Sequence, residues 1–151
     1  MGLHTVARAT KDIDFSALAD VEQATRLVDV MQHAGWSATA HGPLGPGAVV
    51  RFSRTGQDGV ARWVDVLFSG TDFEERALRR AKTTTLFGHA IRVATVEDLI
   101  VFKMVAGRPQ DLVDVQSLLK QNGDGLDEAY LAGALAEWEL SGAFARLREE
   151  I

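Results

Sequence analysis

Three carboxylates and one isolated lysine are the residues whose types and spacing bear most directly on chemistry. Asp12 and Asp14 stand two positions apart in Lys11-Asp12-Ile13-Asp14-Phe15. On a strand that spacing sends both carboxylates to one face, with Cα atoms about 7 Å apart, while Ile13 and Phe15 take the other face. Neighbouring anions repel, and a hard divalent cation removes that cost. Taken alone, an Asp-x-Asp pair on a polar strand face does no more than face water. Asp65 alters the balance. It interrupts Trp63-Val64-Asp65-Val66-Leu67-Phe68, the most hydrophobic strand candidate. A carboxylate there must find a partner or neutralise. Either it forms a structural ion pair or hydrogen bond, or this strand lies beside the Asp12/Asp14 strand and the three carboxylates hold metal. Two Mg²⁺ ions about 3.5–4 Å apart are the usual occupants of such a triad in phosphoryl transfer.

Lys103 is alone in the apolar run Leu99-Ile100-Val101-Phe102-Lys103-Met104-Val105-Ala106. Helical neighbours lie three or four positions away, and none of these is acidic. The side chain either snorkels to water or aims its charge at a triphosphate or at the carboxylate cluster. Gly107-Arg108-Pro109-Gln110-Asp111-Leu112-Val113-Asp114 follows, with Asp111 and Asp114 on one side of a helix that Arg108 precedes. These are surface and first-turn anions, or they buttress Lys103 and a metal site. His4, His33, His41 and His89 show no ligand spacing and read as surface or loop residues. Gly42 to Gly47 lacks the Lys-Ser/Thr that a phosphate-binding P-loop requires.

The elements that position these residues follow from periodicity. Residues 11–15 alternate as a strand. Val21, Ala24, Leu27, Val28 and Met31 recur at helical spacing over 20–34, and Gly35 is a stop. Residues 36–41 form a strand, and the Gly/Pro-rich 42–47 a loop. Residues 48–54 and 60–69 read as strands joined by a connection containing Asp58-Gly59, the second apolar on both faces as an internal strand is. A charged surface helix spans 72–82, and a strand or two lie around 84–94 with a break at Gly88. Thr95 caps a helix ending at Gly107, Pro109 opens another that stops near Gly123, and 126–150 is one helix or two. Leu131, Leu135, Trp138, Phe144 and Leu147 are its packing residues. The expectation is one α+β domain over residues 1–151: a mixed β-sheet, helices against it and a helical C-terminal part.

Bulk composition bounds the function. The chain has 151 residues, enough for one core, and no cysteine, which excludes disulfides and thiolate metal sites. Its net charge of -5 argues against a broad nucleic-acid footprint, because such binding needs many Lys and Arg contacts to phosphate. No apolar run is long enough to span a bilayer and no signal-peptide core opens the chain, so the expected location is cytoplasmic.

Arg8-Ala9-Thr10-Lys11-Asp12-Ile13-Asp14-Phe15 resembles the R-x-T-x-D-I-D-hydrophobic signature of bacterial nucleotidyltransferases in the DNA polymerase β superfamily. The group includes AbiEii-like toxins and the minimal nucleotidyltransferases of toxin–antitoxin operons. Val64-Asp65-Val66-Leu67 is similar to the strand carrying their third carboxylate, and Val96 to Val115 to their late helical motif of Lys, Arg and paired Asp. The resemblance implies a polymerase β-like fold and a Mg²⁺-dependent enzyme. It would transfer a nucleoside monophosphate from a nucleoside triphosphate such as ATP to a hydroxyl of RNA (a tRNA among them), protein or small molecule, in a toxin–antitoxin or defence system. It further implies that Asp12, Asp14 and Asp65 hold two Mg²⁺ ions, that Lys103 neutralises phosphate charge, that Thr10 lines the site, and that Arg108, Asp111 and Asp114 support it.

One departure stands out. The family places a Gly-Gly or Gly-Ser element at a helix start shortly before the Arg-x-Thr segment, where backbone N–H groups hold the triphosphate. Only seven residues precede Arg8, and they contain no such pair. Either the natural chain is longer, or triphosphate binding is lost and the protein is a degenerate, inactive nucleotidyltransferase fold that binds a protein partner. A shortened N-terminus also leaves apolar surface to cover, which predicts a homodimer.

Overall fold

The computed structural model describes residues 12–151, the side chain of Asp12 excepted. The chain divides into two compact units, one within Ala9–Arg79 and the other taking in Arg80–Ile151. Strands carry the first and helices the second, the α+β arrangement expected from the sequence.

The first unit is built on a four-stranded mixed sheet in the order β1-β4-β3-β2, with β1 at Asp12–Ala17, β2 at Ser37–His41, β3 at Val49–Thr55 and β4 at Ala61–Phe68. β4 is internal, as its two apolar faces predicted. It pairs in parallel with β1 and antiparallel with β3. The β3–β4 hairpin closes at the Thr55–Ala61 pair, over a turn in which Gly59 takes φ +73. Helix α1 (Val21–His33) begins with a capping box: Asp20 Oδ1 accepts from the Gln23 N–H at 2.8 Å, and Gln23 Oε1 accepts from the Asp20 N–H at 3.1 Å. Its apolar stripe covers one sheet face. Ala24 is fully buried with Val50, Phe52, Val66 and Phe68, and Leu27, Val28 and Met31 pack against that cluster. Val21, assigned to the same stripe from its spacing, lies in the first turn and is 56% exposed.

The loop 42–47 is held at the end of β4 by backbone bonds, Gly47 N–H to Phe68 C=O at 2.7 Å and Phe68 N–H to Ala48 C=O at 2.9 Å. Gly70 is needed there, since a Cβ on it would sit 2.7 Å from the Gly47 nitrogen. α2 (Asp72–Arg80) starts at a second capping arrangement, in which Thr71 Oγ1 accepts from the Glu74 N–H and Glu74 Oε2 accepts from the Gly70 and Thr71 N–H groups. It is amphipathic rather than wholly superficial, because Phe73 and Ala77, one turn apart, are buried.

The second unit opens with a hairpin, β5 (Lys82–Leu86) and β6 (His89–Val93), turned through Phe87 and Gly88, both at positive φ. Helices α3 (Val96–Ala106), α4 (Pro109–Asn122), α5 (Glu128–Glu137) and α6 (Ser141–Glu149) follow, with a short 3-10 turn at Gly123–Gly125. Thr95 caps α3, Gly107 ends it at φ 62, and Pro109 opens α4. The C-terminal segment is two helices, α3 packs on α4 and α5, and α6 packs on α4 and α5. Ile100, Val101, Val115, Leu118, Leu131 and Leu135 form the buried centre, with Phe144 and Leu147 beside it. Trp138, expected to pack, is 37% exposed, because α5 ends there and the chain turns at Glu139 (φ 57) into α6. Among the described residues no helix is long and apolar enough to cross a membrane.

Candidate functional site

The parallel register of β1 on β4 sets Asp14 directly opposite Asp65 and Asp12 opposite Trp63. The antiparallel register of β4 on β3 sets Arg51 on the other side of Asp65, and β2 adds Thr39 opposite Arg51. Paired residues share a sheet face, so Asp14, Asp65, Arg51 and Thr39 make one row across the sheet. Phe52, Val64 and Val66 alternate to the opposite face, which α1 covers, so the row lies on the face away from that core.

Two like charges side by side are destabilising unless something positive answers them. Arg51 answers Asp65. Its Nε donates to Oδ1 at 2.7 Å and its Nη2 to Oδ2 at 2.5 Å, a bidentate grip. That hydrogen bonding holds the Asp65 carboxyl below the usual carboxylate value against the opposing effect of burial, and the charges of Arg51 and His41 act in the same direction. Asp65 is one-fifth exposed and Asp14 is exposed, so the row is open to a ligand from solvent. The donor set is carboxylate oxygen, suited to a hard divalent cation. Among the described residues no group of three His, Asp or Glu side chains is arranged around a metal position. The third predicted ligand, the Asp12 side chain, lies outside the described residues, as does Thr10.

The predicted second cluster is assembled in the helical unit. Lys103 Nζ is 2.6 Å from Asp114 Oδ2 and 3.6 Å from Asp111 Oδ1. Arg108 grips Asp111 from the other side through Nε at 2.6 Å and Nη2 at 3.1 Å, and its own N–H also donates to Oδ2. Gln110 Nε2 donates to Asp114 Oδ1 at 3.2 Å. Lys103 therefore has carboxylate partners, supplied by the helix after its own. Hydrogen bonds from Arg108 hold Asp111 below the usual carboxylate value despite its burial, helped by the charges of Arg108 and Lys103.

Sequence reasoning missed a second buried carboxylate. Asp98 is fully buried and accepts from Tyr130 Oη at 2.5 Å, Thr95 Oγ1 at 2.7 Å and Arg80 Nε at 3.2 Å. The Arg80 guanidinium lies 3.5 Å from the Tyr130 ring centroid. Glu97, beside it, accepts from the Asp127 N–H at 3.0 Å and stands 3.6 Å from Arg80. With its partners satisfied inside the helical unit, this network ties α3 and α5 to the start of the unit.

A family model described as Nucleotidyl transferase AbiEii toxin, Type IV TA system matches residues 1–148. No curated protein matches the chain. Among solved structures, an antigenic nucleotidyltransferase-like protein from Paracoccidioides brasiliensis is similar at 16% identity with a TM-score of 0.49, over 89% of this chain and 74% of that one.

Proposed function

Because the chain belongs to the AbiEii nucleotidyltransferase toxin family of type IV toxin–antitoxin systems, we propose that it transfers a nucleoside monophosphate from a Mg-bound nucleoside triphosphate to an acceptor hydroxyl. The observation that carries this reading is the register that sets Asp14 against Asp65 on an open sheet face. Asp14 and Asp65, with Asp12 from the same strand, would hold the metal. Mg²⁺ bound there would supply charge neutralisation of the triphosphate and a lowered pKa for the acceptor hydroxyl.

The chain's own residues divide the remaining work. The acceptor oxygen forms its bond to the α-phosphorus as the bond from that phosphorus to the α–β bridging oxygen breaks, and pyrophosphate leaves. Arg51 keeps Asp65 ionised, which suits a ligand carboxylate and makes it a poor store for the acceptor's proton, so the proton passes to solvent. By the family resemblance Lys103, whose ammonium is 2.6 Å from Asp114 and 3.6 Å from Asp111, would neutralise phosphate charge. Arg108 fixes Asp111 in turn.

The bidentate grip of Arg51 also favours a second reading. Both Asp65 oxygens are engaged by the guanidinium, as they would be in a structural ion pair within a degenerate fold that acts by binding a protein partner. Calorimetric titration separates the two. The first predicts saturable binding of at least one of Mg-ATP, Mg-CTP, Mg-GTP and Mg-UTP, lost in Asp14→Asn. Absence of binding by all four supports the second.

A further inference from the structure

A four-stranded sheet measures about 14 Å between its outer strands, and one helix is about 10 Å wide. Helix α1 therefore covers only part of the sheet face on which it lies. Its cover falls on β3 and β4, where Val50, Phe52, Val66 and Phe68 are buried with Ala24. On the same face of the edge strand β1, Ile13 and Phe15 stand opposite Val64 and Val66, and each is more than half exposed. Leu18, just after β1, and Val21, in the first turn of α1, are more than half exposed as well. The four side chains form an apolar strip along the β1 edge. Single exposed apolar residues are ordinary, but several gathered in one place mark an interaction site.

A second uncovered apolar feature stands on the hairpin of the helical unit. Leu86 pairs with His89, and the chain turns through Phe87 (φ 50) and Gly88 (φ 80). A two-residue turn with both positions at positive φ favours Asn, Asp or Gly at the first. Phe87 takes that position at a steric cost, and its ring is 93% exposed, so packing does not offset the cost. Leu86 beside it is exposed too. A bulky aromatic held in a strained turn and kept in solvent is the mark of a side chain presented to a partner.

The two features complement each other in shape and in charge. Residues 82–93 carry Lys82, His89 and Arg92 and no acid. Residues 13–25 carry Asp14, Asp20 and Glu22 and no Lys or Arg. Asp20 and Glu22 flank Val21 at the rim of the strip, and both are exposed. Every copy of the chain thus offers a projecting tip with cations behind it and an apolar strip with acids at its rim. Such opposition of charge steers an encounter and fixes its register. Strip against strip would bring the acids together, and tip against tip the cations.

We propose that the chain associates with itself, the Leu86–Phe87 tip of one copy seating on the Ile13, Phe15, Leu18 and Val21 strip of a second. The contact is independent of the transferase reading. The strip lies on the sheet face opposite Asp14 and Asp65, so a seated tip leaves the carboxylate row open to solvent.

The test is the mass of the full chain by sedimentation velocity and light scattering, over a concentration series reaching the high-micromolar range. Wild type should rise above the monomer mass as concentration increases. Phe87→Asn removes the ring, and Leu18→Asp puts a charge on the strip. Each should weaken association by about 30-fold or more, as loss of an interface hot spot does. Both should keep the wild-type circular dichroism. In dilute, monomeric solution Phe87→Asn should unfold at or above the wild-type temperature, because asparagine accepts positive φ more readily. An equimolar mixture of the two variants should associate again, since the Leu18→Asp copy keeps an intact tip and the Phe87→Asn copy an intact strip. Recovery in the mixture excludes misfolding of either variant as the cause. The proposal is overturned if wild type stays monomeric over the whole series, if either variant associates as wild type does, or if the mixture stays as dissociated as its components.

Discussion

Asp14 faces Asp65 across the parallel β1–β4 pair, and Arg51 grips Asp65 from the strand beyond. The row thus runs anion, anion, cation. Asp65 is gripped by a side chain of the protein, and the register places Asp14 next to it on a solvent-facing surface. Removing Arg51 leaves two neighbouring carboxylates with less positive charge beside them. Arg51→Ala should raise the Asp65 pKa from its depressed value, read by NMR titration of the carboxyl carbon. The Asp65 titration should be unmoved if the cation is not what depresses it.

The pH dependence has a definite sign. Asp65 and Asp111 both titrate below their ordinary value of 3.8 in the folded protein. Each contributes stability that is fully present above that ordinary value and is lost as pH falls through the lowered folded value. Asp111→Asn should therefore destabilise by about 1–3 kcal/mol at pH 7. The gap to wild type should narrow below the ordinary carboxylate value. Urea unfolding at pH 7 and pH 3 measures it, and a gap that widened on acidification would contradict the assignment. For Asp65 the effect should be smaller, about 1 kcal/mol or less, since Arg51 is 45% exposed and its attraction is screened.

The helical unit depends on Asp98. Replacing it with Ala leaves the Arg80 guanidinium only Glu97 and the Tyr130 ring, and leaves the Tyr130 and Thr95 hydroxyls short of an acceptor. The expected cost is about 3–5 kcal/mol. Tyr130→Phe, which removes one donor and keeps the ring under Arg80, should cost about 1–3 kcal/mol. Chemical denaturation of the two variants checks the order, and equal costs would mean that the carboxylate is not the hub.

Gly70→Ala tests the close approach at the end of β4. The new Cβ would meet backbone atoms of Gly47 and Pro46, which cannot swing aside as a side chain can. A loss of about 1–3 kcal/mol follows from such overpacking. Gly123→Ala, with nothing within 4 Å of the added carbon, is the neutral control.

Much of this was legible in the amino-acid sequence, and the rest was hidden for identifiable reasons. The Asp-Ile-Asp alternation and the apolar Trp63–Phe68 run pointed to two strands, because period-two patterning and burial on both faces are local signals, while their pairing stood as one of two alternatives until the register showed it. Arg51 could have been found. Counting back from the Thr55–Ala61 closing pair of the hairpin places it opposite Asp65. Helical spacing within its own helix offered Lys103 no partner, and of the two readings of Asp111 and Asp114 the contacts match the one in which they buttress Lys103, arriving from the next helix after the chain turns at Gly107. The role of Asp98 was hidden because Arg80 and Tyr130 lie 18 and 32 positions away, and nothing local announces a contact at that range. Trp138 and Val21 fit helical stripes yet sit at helix ends, where a stripe runs out from under its cover.

Lys103 offers a graded test of the helical cluster. Lys103→Met should lower transfer by about 10²–10³, the loss typical of removing one group that stabilises developing charge. Asp114→Asn should lower it less, since Asp111 still stands 3.6 Å from the ammonium. Steady-state rates over a range of NTP concentrations would show both effects, and a larger loss for Asp114→Asn would reverse the roles assigned here.

The most direct measurement is transfer of label from each α-³²P nucleoside triphosphate, with Mg²⁺, to total RNA and to protein, comparing wild type with Asp65→Asn and Asp14→Asn. The carboxylate account predicts labelled product from the wild-type chain and loss of it in both variants, each retaining wild-type circular dichroism. Label transferred equally well by the variants would contradict it.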